Sequence, residues 1–478
     1  MVATEFELLG ESEEDLEDEA LELQPFFSRA RRFAENKWGI LERHQRSAFR
    51  PPLAPTLAYA GGRSTPAGGG GGGGVSVIDP FTTPAPALRL ADNGFLQLGP
   101  PLNSAMAALK ANPATKNLCI AVVDLQAPPS GADGVYQGFN DDDMIYVGSL
   151  QKISAMYAAF ELRSRVRAHV ESALKGGMSA TAADWKKMQL DLKRAWQPKL
   201  SKVFPPRMFP QGFPDLNTIF TLSPAGTVDF SSSGASQAAL DTGLSGGMKF
   251  LEWLKRMLRF SDNHAAAKCI LALSYPYING ALRNAGLFEP ASTGIFSIPP
   301  RGLWISGNYV DIAKNWISDS TRDDAHAGQP KTSPSRVVGA RTPWATPPRP
   351  KTNFGATARK VAQLFALIAA DKLVDKASSQ EMRNLLSGAE LNRGPGCINP
   401  DCYAGSYLEA ALYDKHRSYD KVFGKIGIGD DRFYHDAGIV QRPIAGGTSP
   451  RYVAVVLGCE GSNFGSLWKA FVDIDQAL

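Results

Sequence analysis

A serine stands three residues before a lysine at Ser149-Leu150-Gln151-Lys152, and Ile153-Ser154-Ala155-Met156 continues in a helical pattern. On a helix that spacing puts both side chains on one face, about a turn apart. There the Lys152 amine can take the hydroxyl proton and make Ser149 a nucleophile, provided burial and neighbours favour the neutral amine. A helix N-terminus also favours the oxyanion that forms when an acyl carbon is attacked. The blander reading is a capping serine followed by a surface lysine. A second polar cluster, Ser261-Asp262-Asn263, lies between two helical runs. As plain structure it is an N-cap; as chemistry, Ser261 relays a proton to a leaving nitrogen and Asn263 holds a substrate carbonyl. The third is Lys425-Ile426-Gly427-Ile428-Gly429, on a predicted strand. Its glycines either permit a bend beside an edge lysine or let a substrate lie against the strand. In the second case Lys425 offers a fixed positive charge, and the Ile428 N–H completes an oxyanion hole with that of Ser149.

The elements that must position these groups follow from apolar periodicity. Helical patterns fall at 101–113, from Ser149 to about Arg165, and at 182–196, 247–260, 263–273, 356–371 and 464–477. Strand patterns fall at Asn117–Leu125, Val135–Gly138, Lys425–Ile428, Phe433–Val440 and Arg451–Leu457. Strands at both ends with helices between them predict an α+β fold. One antiparallel sheet is assembled from the two termini, helices cover its faces, and a helical lobe is inserted.

Composition limits the rest. The chain has 478 residues, 44% hydrophobic and 21% charged, enough for a large core with appendages. Its net charge of +4 conceals an acidic N-terminus: residues 1–25 hold many acids, from Glu5 to Glu22, and no Lys or Arg. We divide the chain into an acidic tail with a short basic helix (1–50), a Pro/Gly-rich tether (51–85) containing the glycine run Gly68 to Gly74, and a catalytic domain (86–478). The tail is a candidate site for a protein partner. The remaining basic excess is spread along the chain and forms no nucleic-acid module. No apolar run is long enough to span a bilayer, and the acidic start is the reverse of a secretory signal. That leaves the compartment open between the cytoplasm and a non-standard route of export. The five cysteines show no metal-ligand spacing. Cys397 and Cys402 either close a small disulfide loop or stay as two thiols.

Taken in order, the three clusters resemble the serine-lysine, Ser-Asp-Asn and Lys-Thr-Gly signatures of class A β-lactamases and related penicillin-binding proteins. The likeness extends to the helical stretch from Ala356 to Leu367 and to the strand Arg451–Gly458, and so covers residues 100–478. It implies an acyl-serine hydrolase acting on a small-molecule β-lactam, peptide or ester, with no metal or organic cofactor. Ser149 would be the nucleophile, Lys152 its base and Ser261 the proton shuttle. Asn263, Gly427 and Ile428 would bind substrate, Lys425 would assist both shuttle and substrate carboxylate, and Asp262 would be a buried structural acid. Two features depart from the family pattern. Ile426 replaces a hydroxyl residue, and no glutamate occurs between Glu289 and Glu381, the interval expected to supply a base for deacylating water. Asp311, Asp319, Asp323 and Asp324 are the substitutes on offer, Glu289 falling too early. Extra length at 170–240 and 320–353 either reshapes the cleft for a larger substrate or decorates the surface. The rival functional class is a catalytically silent member of the fold that binds a ligand or partner, tethered through the glycine-rich linker and the acidic tail.

Overall fold

The computed structural model describes residues 90–92, 100–126, 132–203, 213–236, 239–240, 247–289, 301–307, 352–387, 406–415, 417–428, 433–444, 447–460 and 464–478. All belong to one of two compact units, Gly74–Gly396 with Tyr403–Leu478. The tail at 1–50, the tether up to 85, Asp311, Asp319, Asp323, Asp324, Cys397 and Cys402 lie outside the described residues.

The chain enters through β1 (Leu90–Asp92), α1 (Pro100–Ala111), β2 (Cys119–Asp124), β3 (Gly134–Phe139) and the short β4 (Ile145–Tyr146). A 3-10 turn at Gly148–Gln151 then runs straight into α2 (Lys152–Lys175). The inserted lobe contains α3 (Ala182–Val203), the single turn α4 (Leu216–Ile219), the β5–β6 pair (Phe220–Leu222 and Val228–Phe230), α5 (Phe250–Arg259), α6 (Asn263–Leu273) and α7 (Tyr275–Asn284). Short strands β7 (Phe288–Glu289), β8 (Arg301–Gly302), β9 (Trp304–Gly307) and β10 (Thr352–Ala356) lead out of it. The chain finishes with α8 (Ala358–Ala369), α9 (Lys376–Leu386), α10 (Tyr407–Asp414), β11 (Lys421–Ile428), β12 (Phe433–Ile444), β13 (Gly447–Glu460) and α11 (Phe464–Ala477).

The main sheet has the order β1-β3-β2-β13-β12-β11, so strands from both ends of the chain meet at the β2–β13 pairing. Its successive pairings are antiparallel except at the edge, where β1 lies parallel to β3. This is the expected α+β architecture, with one added parallel strand. Successive side chains of a strand point to opposite faces, and here both faces are covered. Val123, Val453, Val455 and Leu457 join the large apolar core that includes α2 and α8. Ile120, Val122, Ala454 and Val456 are as deeply buried on the alternate positions, where α11 packs against β13 and α1. A sheet sandwiched this way needs apolar residues at every covered position, which is why 119–123 and 452–457 read as unbroken apolar runs.

Inside the lobe α2 is the central post, buried along most of its length. Phe160 meets Phe230 edge-on with centroids 5.2 Å apart, and Phe230 also packs on Phe250. Trp196 of α3 is fully buried and stacks on Tyr277 of α7 at 6.2 Å. Parts of the extra length at 170–240 reach the core through Trp196, Phe220 and Phe230.

Candidate active site

Three separate pieces of chain converge on one buried amine. The first is the turn that carries Ser149. Gly148 adopts φ 50, a left-handed conformation that suits glycine, and lets the chain leave β4 and coil at once. Because the turn is a 3-10 one, residues three apart eclipse each other, so Ser149 and Lys152 stand on the same side. Lys152 is fully buried, and its Nζ lies 3.0 Å from Ser149 Oγ. The sequence places Ser149 on the helix; the structure places it on the turn just before, with Lys152 as the first α-helical residue.

The second piece is the α5–α6 connection. Lys152 Nζ is 2.5 Å from the Ser261 carbonyl oxygen, 3.1 Å from Ser261 Oγ and 2.7 Å from Asn263 Oδ1. Ser261 sits at φ 54. A non-glycine residue held there costs on the order of 1–3 kcal/mol and persists only when its surroundings fix it. What fixes it is Asp262, the N-cap of α6, whose Oδ1 accepts from the N–H groups of His264 (2.8 Å) and Ala265 (3.0 Å). Its Oδ2 accepts from Arg256 Nε at 2.8 Å. Burial pushes the Asp262 carboxyl up, but the Ala265 N–H and the Arg256 guanidinium outweigh it and hold the group below the usual range.

The third piece is β11. Lys425, also buried, donates from Nζ to Ser261 Oγ at 2.9 Å and to the Ile426 carbonyl at 3.0 Å. The strand reaches the site because glycines let it. A Cβ on Gly427 would lie 2.1 Å from the Val147 carbonyl oxygen, and one on Gly148 would lie 2.4 Å from that of Ile428. The Ile428 backbone is thus pressed against the turn that bears Ser149. Ile426 is buried, in register with Asp436, whose Oδ2 accepts from Ser406 Oγ and the Leu408 N–H, both at 2.9 Å. That carboxylate ties the start of α10 to the sheet. Across from Gly427 stands His435, fully enclosed, its Nδ1 accepting the Gly458 N–H at 3.0 Å and its Nε2 without a partner. Burial lowers its imidazole to about 3, so it is neutral.

The arrangement has a chemical consequence. Four oxygens lie within 3.1 Å of Lys152 Nζ, and an ammonium has only three hydrogens. When the amine is neutral, a hydroxyl can instead point its proton at the nitrogen. All seven residues singled out in the sequence come together: Ser149, Lys152, Ser261, Asn263 and Lys425 through side chains, Gly427 and Ile428 through backbone. Sequence reasoning missed Gly148, Arg256 and His435. Only Gly148 carried a signal, as a glycine directly before the turn serine. Glu289 lies on β7 in an ion pair with Lys360 at 2.6 Å and is half exposed. Cys119, Cys269 and Cys459 are buried. Among the described residues, no His/Cys/Asp/Glu group could hold a metal ion, and no helix is long and apolar enough to cross a membrane.

No protein-family model matches the chain, and no curated protein does. Solved structures do match. A β-lactamase from Chitinophaga pinensis is 14% identical over 79% of this chain and 97% of its own, with a TM-score of 0.39. A class A β-lactamase from Bacteroides cellulosilyticus is 11% identical over 79% and 98%, also at 0.39. A PBP-A mutant solved as its acyl-enzyme complex with penicillin G is 13% identical over 79% and 95%, at 0.36.

Proposed function

We propose that this chain is a serine hydrolase that forms an acyl-enzyme on Ser149 from a β-lactam, amide or ester. The observation that carries this is the single amine, Lys152 Nζ, within 3.0 Å of Ser149 Oγ and 3.1 Å of Ser261 Oγ, with Lys425 on the far side of the same Ser261 hydroxyl. Ser149 Oγ attacks the acyl carbon while its proton passes to Lys152. The carbonyl oxygen gains the negative charge, and the N–H groups of Ser149 and Ile428 receive it. Ser261 hands its own proton to the departing nitrogen and is resupplied from Lys152, as Lys425 steadies the transient alkoxide. Loss of the C–N bond leaves an ester on Ser149. Water then releases the acid, or a second nucleophile takes the acyl group. Asn263 Oδ1 accepts from Lys152, which leaves its amide nitrogen to hold the substrate's carbonyl.

The missing glutamate between Glu289 and Glu381 supports a chain that acylates faster than it deacylates. The N-terminal tail and tether form, on this reading, a separate appendage to the catalytic domain. Intact-mass spectrometry after incubation with a penicillin or an activated ester tests the assignment. One covalent adduct is expected, absent in Ser149→Ala and greatly slowed in Lys152→Ala. An adduct that survives Ser149→Ala removes the nucleophile and the proposal with it.

A further inference from the structure

Beyond the groups that face a substrate, we infer that Arg256 is a positioning residue for this chemistry, acting through Asp262 on the Ser261–Asn263 turn and on the charge balance at Lys152; the inference rests on the acyl-serine reading above. Arg256 is in the last turn of α5 and mostly buried, its Nε 2.8 Å from Asp262 Oδ2. The same guanidinium donates to the Leu240 carbonyl, which anchors it from a second direction. The Asp262 N–H in turn meets the Arg256 carbonyl at 3.3 Å. Arg256 and Asp262 are therefore locked together by both side chain and backbone. Ser261, held left-handed with both its oxygens on the amine, and Asn263 link them to Lys152.

The electrostatic effect has a definite sign. Two lysines, Lys152 and Lys425, share the Ser261 hydroxyl, and Asp262 is the carboxylate that borders them. An uncompensated carboxylate there would favour the protonated amine and so weaken Lys152 as a base. Arg256 draws off part of that field and adds a positive charge of its own. Nearest to this balance on α6 are His264, lowered by desolvation against the pull of Asp262, and the buried Cys269, raised by burial and by Asp262. His264 on α6 is exposed, and Lys268 lies over the Trp253 ring at 4.7 Å. On α2, Glu161 is paired with Arg165 at 2.6 Å and Arg163 with Glu381 of α9 at 2.8 Å. Arg259 is buried at the end of α5, and His435 across from Gly427 is neutral.

The test is the pH dependence of Ser149 acylation by a fluorophosphonate, in the wild type, Arg256→Gln and Arg256→Lys. Arg256→Gln is expected to move the acidic limb of the profile upward by roughly half a unit or more, about threefold slower on that limb, with the alkaline plateau nearly kept. Arg256→Lys keeps the charge and should stay close to wild type. An unmoved limb in Arg256→Gln, whether rates are equal or uniformly lower at every pH, overturns the inference, because a merely structural residue gives that result. A second measurement does not need activity: NMR titration of 13C-labelled lysines, with Lys152 assigned by its loss in Lys152→Ala. Its midpoint should rise in Arg256→Gln, and a midpoint that stays or falls refutes the inference. Absence of labelling in wild type would sink the acyl-serine reading, and the lysine titration would still decide the role of Arg256. Thermal melts of each variant identify any that fail to fold; if Arg256→Gln does, Arg256→Lys carries the comparison, and an acidic limb displaced from the wild type's although the charge is kept refutes the inference.

Discussion

Replacing Gly427 by alanine adds one methyl group at the tightest point of the site. Its Cβ would stand 2.1 Å from the Val147 carbonyl oxygen, 2.9 Å from the Leu150 nitrogen and 3.0 Å from Leu150 Cβ. Two of these are backbone atoms, so no side chain can swing away, and β11 must retreat from the turn by about 1 Å to clear them. The contact that depends on that approach has little slack: Lys425 is 2.9 Å from Ser261 Oγ. A displacement of this size at a positioned site costs about 10²-fold in rate. Overpacking should cost roughly 1–3 kcal/mol in stability, too little to unfold a domain with this much core. The assay is the second-order rate of Ser149 labelling, read beside a thermal melt. A folded Gly427→Ala variant that labels within about threefold of wild type, far from the 10²-fold expected, would show that the strand does not need to touch the turn. The backbone part of the mechanism would then be wrong.

Removing residues 1–80 should leave a cooperatively melting domain whose labelling rate is unchanged; loss of folding or labelling would place part of that segment in the catalytic domain. With a chromogenic cephalosporin, stopped-flow should show a burst of one equivalent and then a slow steady state. A water without its base loses roughly 10²–10⁴-fold, whereas fast linear turnover would show that another group activates water. The last prediction concerns pH and stability at two neighbours on β12. His435 falls from an ordinary 6.5 to about 3, so the unfolded chain binds the extra proton and stability is lost as pH drops through that window. Burial raises Asp436 from 3.8 to about 7, against the pull of its hydrogen bonds from Leu408 and Ser406, so here the folded chain holds the extra proton and stability is lost as pH rises. The two slopes oppose each other between pH 4 and 6.5. His435→Gln should therefore give melts that fall with rising pH across this range, and Asp436→Asn melts that rise. Parallel profiles for wild type and both variants would refute the assignment.

The groups of the proposed site were legible in the sequence because the proposed chemistry calls for fixed residue types at short spacing. Ser149 and Lys152 are three apart, and Ser261-Asp262-Asn263 is contiguous. The sheet was legible because burial on both faces removes polar residues from 119–123 and 452–457. What escaped depends on contacts between distant segments. Arg256 looks like any basic residue closing a helix until Asp262 folds back onto it. His435 looks like a surface residue beside Tyr434 until α10 and the turn that carries Ser149 pack against its strand. Helix α9 is polar enough (Lys376-Ala-Ser-Ser-Gln-Glu-Met-Arg) to pass for a loop, and only its Asp375 cap, accepting the Ser378 N–H at 2.7 Å, marks its start.

The order of strands also bears on how the protein is made. β2 emerges early in synthesis, yet its partner β13 lies more than 300 residues further on, at 447–460. Until then the Val-rich strand 119–124 has β3 on one edge and nothing on the other. An unpaired edge of this kind readily recruits another chain, and pairing across so long a loop is slow. Nascent chains therefore carry an aggregation-prone edge for most of translation, and high-level expression should profit more from slow synthesis or a chaperone than from changes at the finished surface.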